Sequence, residues 1–211
     1  MPSLRDALLA GSAVAGLVLA AASGPGSTFI AWSLPVLHVL IEAADPDVQV
    51  LSLGLANSGG LTVVRLRADL ARPVALGGQR LRPLQESQGW IQIDVTRGGL
   101  LQHAVLLLAV VIGWPAGTLR RRVARLAAAL PLSVCLFALT CASTFLAEFW
   151  VPLYGLTSGS ADPLILDWSQ FLMGGGGAML AIALAAALVL TTDWTGPDRI
   201  AGAQTPAVPL A

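Results

Sequence analysis

The chain has 211 residues, which suits one domain or a small bundle of membrane helices. Hydrophobic residues make up 55% and charged residues only 11%, against about 25% charged in soluble domains, so this composition cannot clothe a water-facing surface. Twelve basic and twelve acidic residues cancel, which removes bulk charge as a reason for a nucleic-acid partner. The fold class expected is therefore an α-helical membrane protein, with the lipid bilayer as its first partner.

A bilayer core of about 30 Å takes roughly 20 apolar residues as helix. The first candidate, residues 7–23 (ALLAGSAVAGLVLAAAS), is short for this. Arg5 before it and the small residues AAASG at its end also suit a signal peptide, so the segment within 1–27 is either a cleaved leader or an uncleaved anchor. Residues 28–45 follow as an amphipathic helix expected at the membrane interface. Its apolar stripe is Phe29, Trp32, Val36, Leu37 and Leu40, and Pro35 should bend it. His38 and Glu42 stand four apart, which makes a solvated pair on its polar face.

Residues 46–98 change period from helix to strand. VQVLSLGLA alternates, NSGG turns and LTVVRLRADL alternates again, which is a hairpin signature. Arg65 and Arg67 fall on one face, with Val64, Leu66, Ala68 and Leu70 on the other. PVALGGQRLRPL and GWIQIDV read as two further strands, with Ile91, Ile93 and Val95 on one side. The sum is an antiparallel sheet of three or four strands with little core of its own. Its apolar face needs a cover: the 28–44 helix, the membrane surface or another protein. An exposed edge strand also offers itself to a partner strand.

Three apolar segments of full length follow, at 99–118, 123–149 and 171–192, and make 99–192 a three-helix membrane region. With the first segment this predicts four transmembrane helices. LRRRVAR places Arg120, Arg121, Arg122 and Arg125 in the tight turn at 119–125, and short cationic loops stay in the cytoplasm. The sheet region is then extracytoplasmic, and the tail 193–211 is cytoplasmic. That tail ends in TPAVPLA and is expected to be disordered. Tryptophans agree with the boundaries, since Trp114 and Trp194 fall at the inner level and Trp150 and Trp168 at the outer. Trp90 alone lies well away from either, in the outer domain.

The run FLMGGGGAML opens the last segment. A phosphate loop needs Lys and then Ser or Thr after its glycines, and here Ala178, Met179 and Leu180 follow. In a bilayer the backbone keeps its helix, and small residues let a second backbone approach. Gly174 with Ala178, Gly177 with Ala181, and Ala181 with Ala185 form such steps. Gly11 with Ala15 and Ser12 with Gly16 repeat them in the first segment.

Chemistry has few candidates. His103, beside Gln102, is an interfacial polar residue, an interhelical hydrogen-bond donor or a catalytic base. Cys135 and Cys141 are six apart on one helix and point to different faces, which makes a poor metal or disulfide pair. Glu148, Asp162 and Asp167 flank one outer loop as solvated carboxylates. No catalytic residue, cofactor site or metal site is assigned. No charge falls in the middle of a span, which argues against a proton-coupled pump.

In layout, the chain resembles the small membrane proteins associated with exosortases, nearest those that accompany the exosortase H type. LTVVRLRADL, GGLLQHAVLLLAVVIGWP followed by LRRRVAR, and FWVPLYG carry this resemblance. It implies an accessory role in protein sorting at a bacterial inner membrane. The implied partner is another integral membrane protein, an exosortase-like transpeptidase or its substrate. Exosortases themselves resemble transpeptidases with a cysteine, an arginine and a histidine in the active site, and this sequence has no such set. The reading of the sequence is thus a non-enzymatic accessory protein. Its alternatives are an enzyme using His103 with Asp162 or Asp167, and a subunit of a transporter or sensor.

Overall fold

A computed structural model describes residues 12, 14–21, 23–84, 90–115, 118–155 and 164–194. Gly11, Asp162, the tail from 195 and the start of the first segment lie outside the described residues. Residues 14–21 are helical, and helix α1 (Gly24–Ala44) follows almost at once. Pro25 suits the first turn of α1, where its missing N–H leaves no bond unmade. Gly26 lets the two helical stretches meet, because a Cβ there would overlap the Ala21 carbonyl.

Helix α1 starts earlier than the sequence suggests, and at 21 residues it is long and apolar enough to cross a membrane. Its buried stripe also differs from the one expected. Ile30, Leu37 and Ile41 are buried, whereas Val36 is exposed and Trp32 is 82% exposed. The helix is apolar on more than one side, so hydrophobicity alone does not select the side that meets the protein.

The sheet region follows the alternation closely. Strands β1 (Val48–Ser58) and β2 (Leu61–Leu70) form a hairpin across Gly59 and Gly60. Both glycines have positive φ, 57° and 80°, as a two-residue mirror-image turn requires. The next segment departs from expectation. Gly77 and Gly78 also take positive φ, so PVALGGQRLRPL folds back on itself as a separate hairpin, β3 (Val74–Leu76) and β4 (Gln79–Leu81). Strand β5 (Ile91–Thr96) then pairs antiparallel with β2, giving a three-stranded sheet in the order β1-β2-β5.

Helices α2 (Arg97–Gly113), α3 (Leu119–Gly155), α4 (Leu164–Phe171) and α5 (Gly177–Trp194) complete the chain. Between α4 and α5 a wide π-type turn covers Leu172–Gly176, and within it Gly175 has φ 110°. The glycine run therefore breaks the helix it was expected to continue. Three helices are long and apolar enough to cross a membrane: Gly24–Ala44, Leu119–Gly155 and the merged Leu164–Thr192. Helix α2 is apolar but stops at 17 residues, where Trp114 and Pro115 end it.

The 37 residues of α3 extend about 55 Å at ~1.5 Å per residue, well beyond a hydrocarbon layer of about 30 Å. The excess has a cover of its own. Phe145, Phe149 and Trp150 join Leu37 and Ile41 of α1 and Val64, Leu66 and Ile93 of the sheet in one buried cluster. A second cluster holds Leu107 and Val111 of α2, Ala129 and Leu136 of α3, and Ala181 and Ala185 of α5. One long helix thus threads two cores, one shared with the sheet and one among helices. The sheet's apolar face finds its cover on α1 and α3, within the chain.

Candidate functional site

Strand β1 occupies one edge of the sheet. Its eleven residues, VQVLSLGLANS, carry no charge, and one side of it pairs with no strand among the described residues. Backbone N–H and C=O groups along such an edge form a template for another chain. The beginning of the edge is occupied. Glu42 of α1 accepts the Val50 N–H at 3.1 Å, and His38 Nε2 stands 3.4 Å from the same carboxylate oxygen. The expected His38–Glu42 pair is thus present, and Glu42 also caps the strand. A bulge follows between Val50 and Ser52. The exposed Leu51, at the bulge, and Leu55, beyond it, present apolar side chains along the open stretch.

The solvent face of the sheet carries its charges, as the alternation of Arg65 and Arg67 requires. Arg65 donates Nε and Nη2 to the two oxygens of Asp94, each at 2.7 Å. This two-point bond raises the Arg65 pKa and holds the Asp94 carboxyl below its usual range. The Arg67 guanidinium lies 4.8 Å from the centre of the Trp90 ring, and its Nε has no hydrogen-bond partner among the described residues. Trp90 thus serves as a shelf for an arginine. Asp47 pairs with Arg72, and the buried Asp69 accepts the N–H groups of Leu70 and Leu84.

Small residues of the last segment divide by position. Ala181 and Ala185 are fully buried in the helical cluster. Gly177 lies flat against the His103 imidazole, where any Cβ would overlap the ring. Ala178 is half-buried, and Gly174 is exposed with nothing within 4 Å of a Cβ. Gly174 therefore packs on nothing among the described residues, while Gly177, Ala181 and Ala185 are buried along one row. Gly176 meets the ring of Phe171 of its own chain segment.

His103 is 3% exposed and sits between α2, α3 and α5, with Nδ1 3.5 Å from Thr140 Oγ1. Thr140 gives its proton to the Leu136 carbonyl at 2.8 Å. Glu148 and Asp167 are exposed, and neither makes a hydrogen bond or ion pair with His103 among the described residues. Cys135 is exposed and Cys141 is buried, both unpaired as free thiols. Among the described residues no group of three His, Cys, Asp or Glu side chains is placed to hold a metal ion.

The four arginines of the 119–125 turn also separate. Arg120 and Arg122 are exposed and Arg121 is half-buried, but Arg125 is only 2% exposed. It donates Nη1 to the Pro115 carbonyl at 3.2 Å and Nε to Thr192 Oγ1 at 3.3 Å. A residue read as a topology signal is also a tie between α3, the end of α2 and α5. Spacing within LRRRVAR gives a hint, because Arg125 falls one turn before the buried Ala129.

No protein-family model, curated protein or solved structure matches this chain.

Proposed function

We propose that this chain is a non-enzymatic accessory protein of a bacterial cytoplasmic membrane. It crosses the bilayer four times, with α2 as the shortest crossing, and keeps the 119–125 turn in the cytoplasm and the sheet outside. Through the sheet it docks an integral membrane protein of a protein-sorting system, an exosortase-like transpeptidase or that enzyme's substrate. The open, uncharged edge of β1 carries this reading. Natural sheets blunt such edges with lysine, proline or a covering element, and here the cover stops at Glu42 and Val50. Burial of His103 against Thr140 and Gly177 favours a structural over a catalytic histidine.

Co-purification of the full chain from mild detergent tests the reading, with partners identified by mass spectrometry. The wild-type chain should bring down a transpeptidase or its substrate, and Leu51→Lys with Leu55→Lys should abolish this while the chain still folds. A wild-type chain that runs alone sinks the proposal. His103→Gln separates the accessory from an enzyme, since cellular function should survive it.

A further inference from the structure

Resting on the docking role proposed for the β1 edge, we infer that the segment docked there is an uncharged extended strand, antiparallel to β1 and followed by a lysine or arginine that meets Glu42. The edge itself sets the strand. Ser58 and Leu61 close a two-residue hairpin, and such a closing pair exchanges both backbone hydrogen bonds. Pair types alternate from there, so Asn57–Thr62, Leu55–Val64 and Leu53–Leu66 are pairs without bonds between β1 and β2. The N–H and C=O groups of Asn57, Leu55 and Leu53 therefore point to the open side, where they suit an extended segment as long as Leu53–Asn57. Side chains of these residues share the face of Val64 and Leu66, so the docked strand continues that face with apolar residues at alternate positions. No charge in β1 offers an opposite sign along this stretch, and one strand away Arg65 is bonded to Asp94 while Arg67 lies on Trp90.

Charge enters where the open stretch ends. Glu42 Oε1 accepts the Val50 N–H at 3.1 Å and stands 3.4 Å from His38 Nε2. The other oxygen, Oε2, takes no donor among the described residues, and the side chain is 41% exposed. Glu42 lines a hollow of about 470 Å³ with Pro46, Val48, Gln49 and Ala71. The carboxylates nearby are engaged: Asp47 pairs with Arg72, and Asp45 accepts Trp150 Nε1 and the Asp47 N–H. Glu42 is thus the carboxylate left for an incoming cation. Every pairing within this sheet is antiparallel, the slightly more stable arrangement per residue. An antiparallel strand starts beside Asn57 and finishes toward Val50. Its residue after the one facing Ser52 comes level with Val50, and so with Glu42. A lysine or arginine there gives Oε2 a charge-assisted hydrogen bond.

The test uses the full chain in mild detergent at pH 8, so that imidazoles carry no competing charge. The probes are fluorescent peptides blocked at both ends. One is a Val-Thr repeat of the length above that finishes in lysine, the second finishes in glutamine, and the third is the first in reverse order. Anisotropy titrations read the affinities. Wild type should bind the lysine peptide roughly fivefold more tightly than the glutamine peptide, the effect of one half-exposed ion pair. The reversed peptide holds its lysine at the far end and should bind like the glutamine peptide. Glu42→Gln keeps an oxygen for the Val50 N–H and should erase the gain, and Glu42→Lys should favour the glutamine peptide. Should these variants misfold, the wild-type titrations decide alone. Equal binding of the lysine and glutamine peptides, a gain from the reversed peptide, or a gain that survives Glu42→Gln overturns this proposal and leaves the docking edge standing. A wild type that binds none of the peptides overturns the docking edge as well.

Discussion

The imidazole of His103 rests directly on the backbone of Gly177, with Thr140 on its other side. Three helices therefore converge on one ring. The contact depends on the missing Cβ, because a methyl at 177 would occupy the space of three ring atoms. His103 is 3% exposed. Gly177→Ala should destabilise the helical core by about 1–3 kcal/mol, the usual cost of overpacking. Gly174→Ala, three residues earlier, meets nothing within 4 Å and should leave stability unchanged. Thermal melts of both variants in one detergent check this. Equal melting temperatures would mean that the glycine row is not a packing surface.

Arg125 predicts a second contrast within one short motif. It is buried and bonded to Pro115 and Thr192, whereas Arg122 is exposed. Arg125→Gln should cost about 2 kcal/mol, in the range of hydrogen bonds from charged groups. Arg122→Gln should cost nothing measurable. Lysine at 125 should not rescue, since it lacks the fork that reaches a carbonyl and a hydroxyl together. Protease resistance in detergent, compared across the three variants, reads the difference.

Much of this architecture is legible in the residues, and the reasons for the exceptions are physical. Alternation in LTVVRLRADL states which side of β2 is buried, because a strand's period is two and one face meets the core: Val64, Leu66 and Ala68 are all fully covered. The double glycine at 77–78 reads as a weak spot inside a strand or as a turn, and only positive φ at both positions decides for the turn. For α1, Trp32 and Leu37 both present apolar surface, but lipid and protein both accept apolar side chains, so the buried side is set by the neighbours. The same ambiguity hides the length of α3. The apolar segment expected from sequence stops at Phe149, while the helix continues to Gly155 because the sheet and α1 cover it. Of the candidate site, the uncharged strand is visible in sequence, but its position at a sheet edge comes from the pairing order.

The Arg65–Asp94 bond makes sheet stability depend on pH in one direction. Bonding to Arg65 lowers the Asp94 pKa below its usual value. A carboxyl whose pKa falls on folding stabilises the fold above its unfolded pKa, near 3.9. That contribution is lost as pH drops through the lower folded value. Wild type should therefore melt higher than Asp94→Asn at pH 7, with the gap closing below about pH 4. High salt should narrow the gap at pH 7, since both side chains are about a quarter exposed, at 27% and 24%. A gap that persists unchanged at pH 3 would show that packing, not charge, sets the difference.

Trp150 fixes the sheet-bearing end of α3 to the end of α1. Its Nε1 donates to Asp45 Oδ2 at 2.7 Å, and its ring stands edge-on to Phe149 at a centroid distance of 5.5 Å. Asp45 also receives the Asp47 N–H at 3.0 Å through its other oxygen, which starts the turn into β1. Trp150 therefore positions the strand whose edge is proposed to dock a partner. Trp150→Phe keeps an aromatic ring and removes the donor, leaving Asp45 Oδ2 without this bond. The expected loss is about 2 kcal/mol in melts of the purified chain. Hydrogen exchange should rise in β1 and the end of α1, while Leu107, Val111, Ala181 and Ala185 of the separate helical cluster stay protected. Uniform loss of protection across both clusters would show that the two cores unfold as one unit.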